Sequence, residues 1–169
     1  MVQDMLERWP WPRKLVTLAA LAGLGAGLLA GCGSDDALEP VFPASAETEW
    51  TELRDCRHSH EHELRFTRVF ASPDAEAPYL ALSPDEPYPV GARLVKLEYD
   101  DAQCTDLLGY TALEKLPPGA APAAGDWLWQ RVGPDRKVME QGAMPRCINC
   151  HQVHCDPPYG YDLTCAEEI

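Results

Sequence analysis

Near the carboxyl end of the chain stand five residues, Cys147-Ile148-Asn149-Cys150-His151, whose types and spacing suit one chemistry above others. Two thiols separated by two residues can each add to one vinyl group of a haem, and the imidazole that follows then reaches the iron on its proximal side. The expectation is one covalent haem c, held by Cys147 and Cys150, with His151 as the iron ligand. The same CxxC spacing also suits half of a zinc site, a redox dithiol or a plain disulfide. A redox pair needs a thioredoxin-like βαβ context, which the sequence lacks. Only 18 residues follow His151 and none is Met, while Met139 and Met144 lie just upstream, where reaching the opposite haem face requires a sharp turn. An open sixth position on the iron is therefore expected, which favours chemistry or gas binding over pure electron transfer.

Seven cysteines are present. Two belong to the haem motif, and Cys32 belongs to the export signal described below. The remaining four, Cys56, Cys104, Cys155 and Cys165, suggest two disulfides in an oxidising compartment, with three pairings open. Cys56 with Cys104 and Cys155 with Cys165 is the preferred arrangement, the second closing a short loop behind the haem ligand. A metal site on His154, Cys155 and Cys165 is the functional alternative, with an incomplete ligand set. His58-Ser59-His60-Glu61-His62 would turn three imidazoles to one side if extended, toward zinc, copper or the distal haem face. The plainer reading is a polar strand entry in water. Of the three, His62 lies nearest an apolar strand and is the distal nominee.

The first residues read as an address rather than part of the fold. Arg13 and Lys14 precede an apolar run from Leu15 to Ala30, shorter than the roughly 20 residues a membrane-spanning helix needs. Leu29-Ala30-Gly31-Cys32 resembles the bacterial lipobox, in which the Cys thiol is lipidated and the bond before it cut. An ordinary secretory signal with an incidental Cys is the competing reading. Residues 1–31 are thus expected to be a lipoprotein signal peptide, with Cys32 lipidated. Gly33 after it, by resemblance to lipoprotein sorting rules, favours the outer membrane facing the periplasm. The membrane is then met through the amino-terminal lipid alone. Residues 32–48 are acidic and contain Pro40 and Pro43, which reads as a flexible tether leading to a folded domain at 49–169.

The elements that must position the site look mostly like strands. Arg93 to Tyr99 sets Val95, Leu97 and Tyr99 against Leu94, Lys96 and Glu98. His62 to Phe70 and Asp126 to Val132 alternate in the same way, with Trp127, Trp129 and Arg131 on one face of the last. Turn signals separate them at Ser72-Pro73-Asp74, Ser83-Pro84-Asp85, Pro117-Pro118-Gly119 and Gly133-Pro134-Asp135. Helices are expected over Asp106 to Leu116 and, in a shorter form, over Trp50 to Arg57. Sixteen Pro and 12 Gly in 169 residues disfavour a bundle of long helices. The fold class is α+β: a mainly antiparallel sheet with one or two packed helices and a carboxyl-terminal haem-attachment segment. With 14 Lys+Arg against 27 Asp+Glu, the formal charge of −13 removes nucleic acid from the expected partners.

An ordered set of segments carries a resemblance. Tyr88-Pro89-Val90-Gly91-Ala92-Arg93-Leu94-Val95-Lys96, then Asp126-Trp127-Leu128-Trp129, the haem motif, and Tyr161-Asp162-Leu163 together resemble the cytochrome P-460 family, which includes cytochrome c′-beta. The likeness spans roughly residues 50–166. In that family a Lys at the end of such a strand can be joined covalently to the haem ring, and Lys96 occupies the matching position. The resemblance implies an electronically altered haem that oxidises hydroxylamine or binds nitric oxide. Its partners would be a small nitrogenous molecule or diatomic gas and a soluble electron acceptor. A gas carrier without turnover and a simple electron shuttle are the alternatives. Residue logic alone reads Lys96 as a solvated side chain whose stem lies over the sheet. For the family's distal carboxylate, Glu140 and Glu114 are the nominees. The residues do not decide between a monomer and a homodimer.

Overall fold

A computed structural model describes residues 37–165 of the chain. The signal segment with Lys14 and Cys32, the start of the tether and the last four residues lie outside the described residues. The ordered elements are α1 (Ala46–Glu49), β1 (Thr51–Ser59), β2 (Arg65–Ala71), α2 (Pro73–Ala81), β3 (Arg93–Tyr99) and β4 (Leu107–Lys115). They continue as β5 (Trp127–Val132), β6 (Val138–Gly142), α3 (Pro145–His154), β7 (Gly160–Tyr161) and β8 (Thr164–Cys165). Strands β1 to β6 form one antiparallel sheet in chain order, a meander in which each strand pairs with the next. The architecture is α+β, dominated by antiparallel sheet.

Register across this sheet sets side chains into rows, because residues directly opposite one another share a face. One row runs Ala71, Leu94, Leu113, Trp129 from β2 to β5, and beside it on the same face runs Val69, Lys96, Thr111, Arg131. The first row is apolar and buried, and it joins Met144 and Ile148 of the α3 region in one core cluster. The second row is largely polar. A helix drawn onto the first row by burial therefore leaves the second lining an opening beside it.

The opposite face carries a second core of Phe70, Val95, Leu97, Tyr99, Ala112 and Val132. Phe42 and Ala46 cap it, each only 3% exposed. Folded structure thus reaches upstream of residue 49, into the segment expected to be a tether, because Phe42 supplies apolar area that the acidic composition of its neighbours conceals. Gln130 fixes this segment from inside the sheet, accepting from the Val41 N–H and donating to the Glu39 carbonyl, both at 2.9 Å.

Two expected helices are strands. Trp50 to Arg57 lies largely in β1, and Asp106 to Leu116 contains β4, whose register is imposed by pairing on both sides with β3 and β5. The strand expected from His62 begins at Arg65, after a turn. Ser72-Pro73-Asp74 opens α2 rather than ending in a turn; Pro73 is the first helical residue, where its missing N–H costs nothing.

Candidate functional site

Helix α3 carries Cys147, Cys150 and His151 within two turns. Pro145 starts it with φ already suited to a helix, and the buried Ile148 side chain anchors it to the sheet. Cys147 and Cys150 are free thiols, half-buried. The other four described cysteines are bridged: Cys56 to Cys104, with Cα atoms 6.0 Å apart, and Cys155 to Cys165, at 4.6 Å. With its sulfurs joined to each other, the Cys155 and Cys165 pair beside His151 is not a thiolate metal site, and His154 is exposed.

The tail after α3 exists to orient His151. Its Nδ1 lies 2.7 Å from the carbonyl of Leu163, so the ring N–H is donated there and Nε2 is left for a metal. Leu163 sits in the two-residue turn between β7 and β8, where Asp162 (φ 50°) and Leu163 (φ 63°) both adopt left-handed conformations. Non-glycine residues in that region are strained, and they persist where the surroundings over-determine them. Here Trp127 Nε1 donates to the Asp162 carbonyl at 2.8 Å, and Lys115 pairs with the Asp162 carboxylate at 2.5 Å. Tyr88 and Tyr79 hydroxyls bind Thr164 and the Cys165 carbonyl at 2.9 and 3.0 Å. A Cβ on Gly160 would fall 2.6 Å from the Cys155 carbonyl oxygen, so the tail can lie this close to the end of α3 only through a glycine. Tyr161-Asp162-Leu163 is thus the segment that aims the imidazole.

Between α3 and the polar row of the sheet opens a cavity of about 230 Å³. Cys147, Cys150, His151, Lys96, Trp129 and His62 all line it. Five cationic side chains (Arg54, Arg65, Lys96, Arg131, Arg146) face three carboxylates (Glu61, Glu63, Glu98) there, a positive lining in a chain whose net charge is −13. Such a lining attracts anionic groups. A haem brings two carboxylates with it, and the buried Nε of Arg54 and Nε1 of Trp129 have no hydrogen-bond partner. Free thiols, an aimed imidazole, unpartnered donors and surplus cations together fit a covalently attached haem.

Lys96 is half-buried, with 17% of its side chain exposed, and lies 3.3 Å from Glu98. Burial lowers its pKa, opposed by the Glu98 charge. Burial works to raise the Glu98 pKa, but Lys96, Thr111 and Arg65 outweigh it and bring the carboxyl down to about 2. Thr111 Oγ1 donates to Glu98 at 2.7 Å and Arg65 at 2.8 Å. Burial, then the charges of Lys96 and His151, lower the His62 pKa to about 3. Burial also lowers that of His151, against its bond to Leu163.

The histidine trio is split rather than aligned. His58 pairs with Phe66 in the sheet, His60 is exposed, and His62 alone reaches this cavity. Glu140 lies outside the cavity, exposed and paired with Arg146 at 2.8 Å, and Glu114 is opposite Arg93 on β4, also outside. Met139 is exposed and Met144 is buried in the apolar core, so neither lines the cavity. Of the three carboxylates that line the cavity, the half-buried one is Glu98, and its signal was the alternation that places it on the Lys96 face. No family model matches the sequence, and no curated protein matches it.

Proposed function

We propose that this chain is a mono-haem c protein of cytochrome P-460 type. In this reading it oxidises hydroxylamine or reacts with nitric oxide at the haem iron, and passes electrons to a soluble acceptor. The observation that carries the reading is the convergence of two unbridged thiols, an imidazole with its Nδ1 already committed, and a half-buried lysine in one cationic cavity. Cys147 and Cys150 would hold the haem through thioethers, and His151 would ligate its iron through Nε2. When bound, the haem supplies a one-electron centre that coordinates small nitrogenous molecules and diatomic gases.

The surrounding residues have separate tasks. The Leu163 carbonyl keeps the His151 ring in one tautomer and raises the basicity of its free nitrogen. Lys96, made less basic by burial, is the residue that the family resemblance would join to the haem ring. Removing electrons from hydroxylamine also requires removing protons. Glu61 and Glu63, exposed where they line the cavity, are the carboxylates placed to accept them, whereas Glu98, held ionised by Lys96, Thr111 and Arg65, balances the Lys96 charge. In the same reading residues 1–31 are a lipoprotein signal peptide and a lipidated Cys32 would anchor the protein on the outer membrane, facing the periplasm, where haem c attachment and electron acceptors occur. Among the described residues no helix is long and apolar enough to cross a membrane.

Spectra of protein produced with a haem maturation system test the reading. The ferrous wild type should show a strongly red-shifted Soret band that Lys96→Arg abolishes, and hydroxylamine should reduce an added soluble acceptor dye. An ordinary c-type spectrum without turnover would refute the enzymatic part.

A further inference from the structure

His62 and His151 face one another with ring centroids 6.3 Å apart and ring planes inclined by 66°. A metal–imidazole bond is about 2 Å long, so two imidazoles bound to opposite sides of one ion have their centroids about 6 Å apart. The observed separation matches that span. Each ring also has its Nδ1 engaged: His151 with the Leu163 carbonyl at 2.7 Å, and His62 with Ser59 Oγ at 2.6 Å. With the proton on Nδ1, both rings present Nε2 as the free ligand nitrogen.

The local fold keeps His62 there. It sits in the turn between β1 and β2, whose residues Glu63 (φ 60°) and Leu64 (φ 61°) are both left-handed, and the Arg65 N–H closes the turn on the His62 carbonyl at 3.2 Å. Among the described residues, His62 and His151 are the imidazoles lining the cavity that also holds Cys147 and Cys150.

Resting on the haem reading above, we infer that His62 is the second axial ligand of the resting protein, so that the iron is bis-histidine and six-coordinate until a small molecule displaces His62. It differs from the expectation of an open sixth position, which rested on the absence of a downstream Met. Displacement costs no covalent bond in the chain; the turn at residues 60–64 is a short surface connection between two strands, with Leu64 62% exposed. The site is then a gated one. Nitric oxide or hydroxylamine competes with His62, and apparent affinity falls by the fraction of molecules in which His62 has left.

The test uses the haem-loaded full chain and ferric electron paramagnetic resonance, with haem covalency measured on the same samples after acid-acetone extraction. Wild type should be low-spin. His62→Gly should be high-spin, return to low-spin on addition of free imidazole, and bind cyanide about tenfold faster or more. Ser59→Ala, a milder change, should raise the high-spin fraction without losing haem. A high-spin wild type with covalent haem, or a low-spin spectrum unchanged in His62→Gly, overturns the inference and leaves the haem reading standing. Absence of covalent haem overturns both.

Discussion

Glu98 is the residue on which the polar half of the cavity depends. It receives Thr111 and Arg65 and neutralises Lys96, and its folded pKa of about 2 lies below the ordinary 4.5. A carboxyl depressed on folding contributes stability above its unfolded pKa, and that contribution is lost as pH falls from about 4.5 through 2. The shift corresponds to about 3 kcal/mol. Urea unfolding should therefore show wild type weakening steeply below pH 4.5. Glu98→Gln should be about 3 kcal/mol less stable at pH 7, because Lys96 is left uncompensated, and much flatter in acid. Equal acid slopes in the two proteins would show that Glu98 is not the group responsible. This residue was partly legible: alternation placed it on the Lys96 face. What made it matter, the register that sets Thr111 of β4 and Arg65 of β2 around it, is a tertiary fact that no local pattern carries.

At the scale of elements, α3 and the β7–β8 hairpin act as one device for aiming an imidazole, and a disulfide joins their ends. Cys155–Cys165 spans 10 residues and Cys56–Cys104 spans 48. On the chain-entropy account the longer loop contributes about 4 kcal/mol and the shorter about 2 to 3. Replacing Cys56 and Cys104 by Ser should thus cost more stability, whereas replacing Cys155 and Cys165 should do more to the site. The checks are urea midpoints for the first and the nitrogen hyperfine pattern of the ferrous nitrosyl adduct, which reads His151, for the second. A hyperfine pattern identical in all variants would mean the tail does not hold the ring.

The elements themselves were unevenly readable. β3 alternates because Val95, Leu97 and Tyr99 pack into one core while Lys96 and Glu98 on the other face line the cavity, and β5 sets Trp127 and Trp129 in one core against Val132 in the other. β1 is an edge strand with much of its surface in water, so its sequence carries no alternation to read. β4 is Leu107 to Lys115, rich in Leu with Ala, Glu and Lys, which favour helix by intrinsic propensity; pairing with strands on both sides outweighs that preference.

Across the whole molecule, charge and function are segregated. A chain with a net charge of −13 gathers five cationic side chains around one cavity, and the same cavity holds the unbridged pair among its described cysteines. Two disulfides and two faces of packed sheet stiffen the rest, leaving Cys147 and Cys150 as the thiols available for attachment. Intact-mass spectrometry of the denatured protein, after production in a periplasm with a haem maturation system, tests this most directly. The mature chain should be heavier by the mass of one haem, with the addition mapping to the peptide containing Cys147 and Cys150. A chain bearing two free thiols or a Cys147–Cys150 disulfide at that peptide, with no haem mass added, would contradict the account.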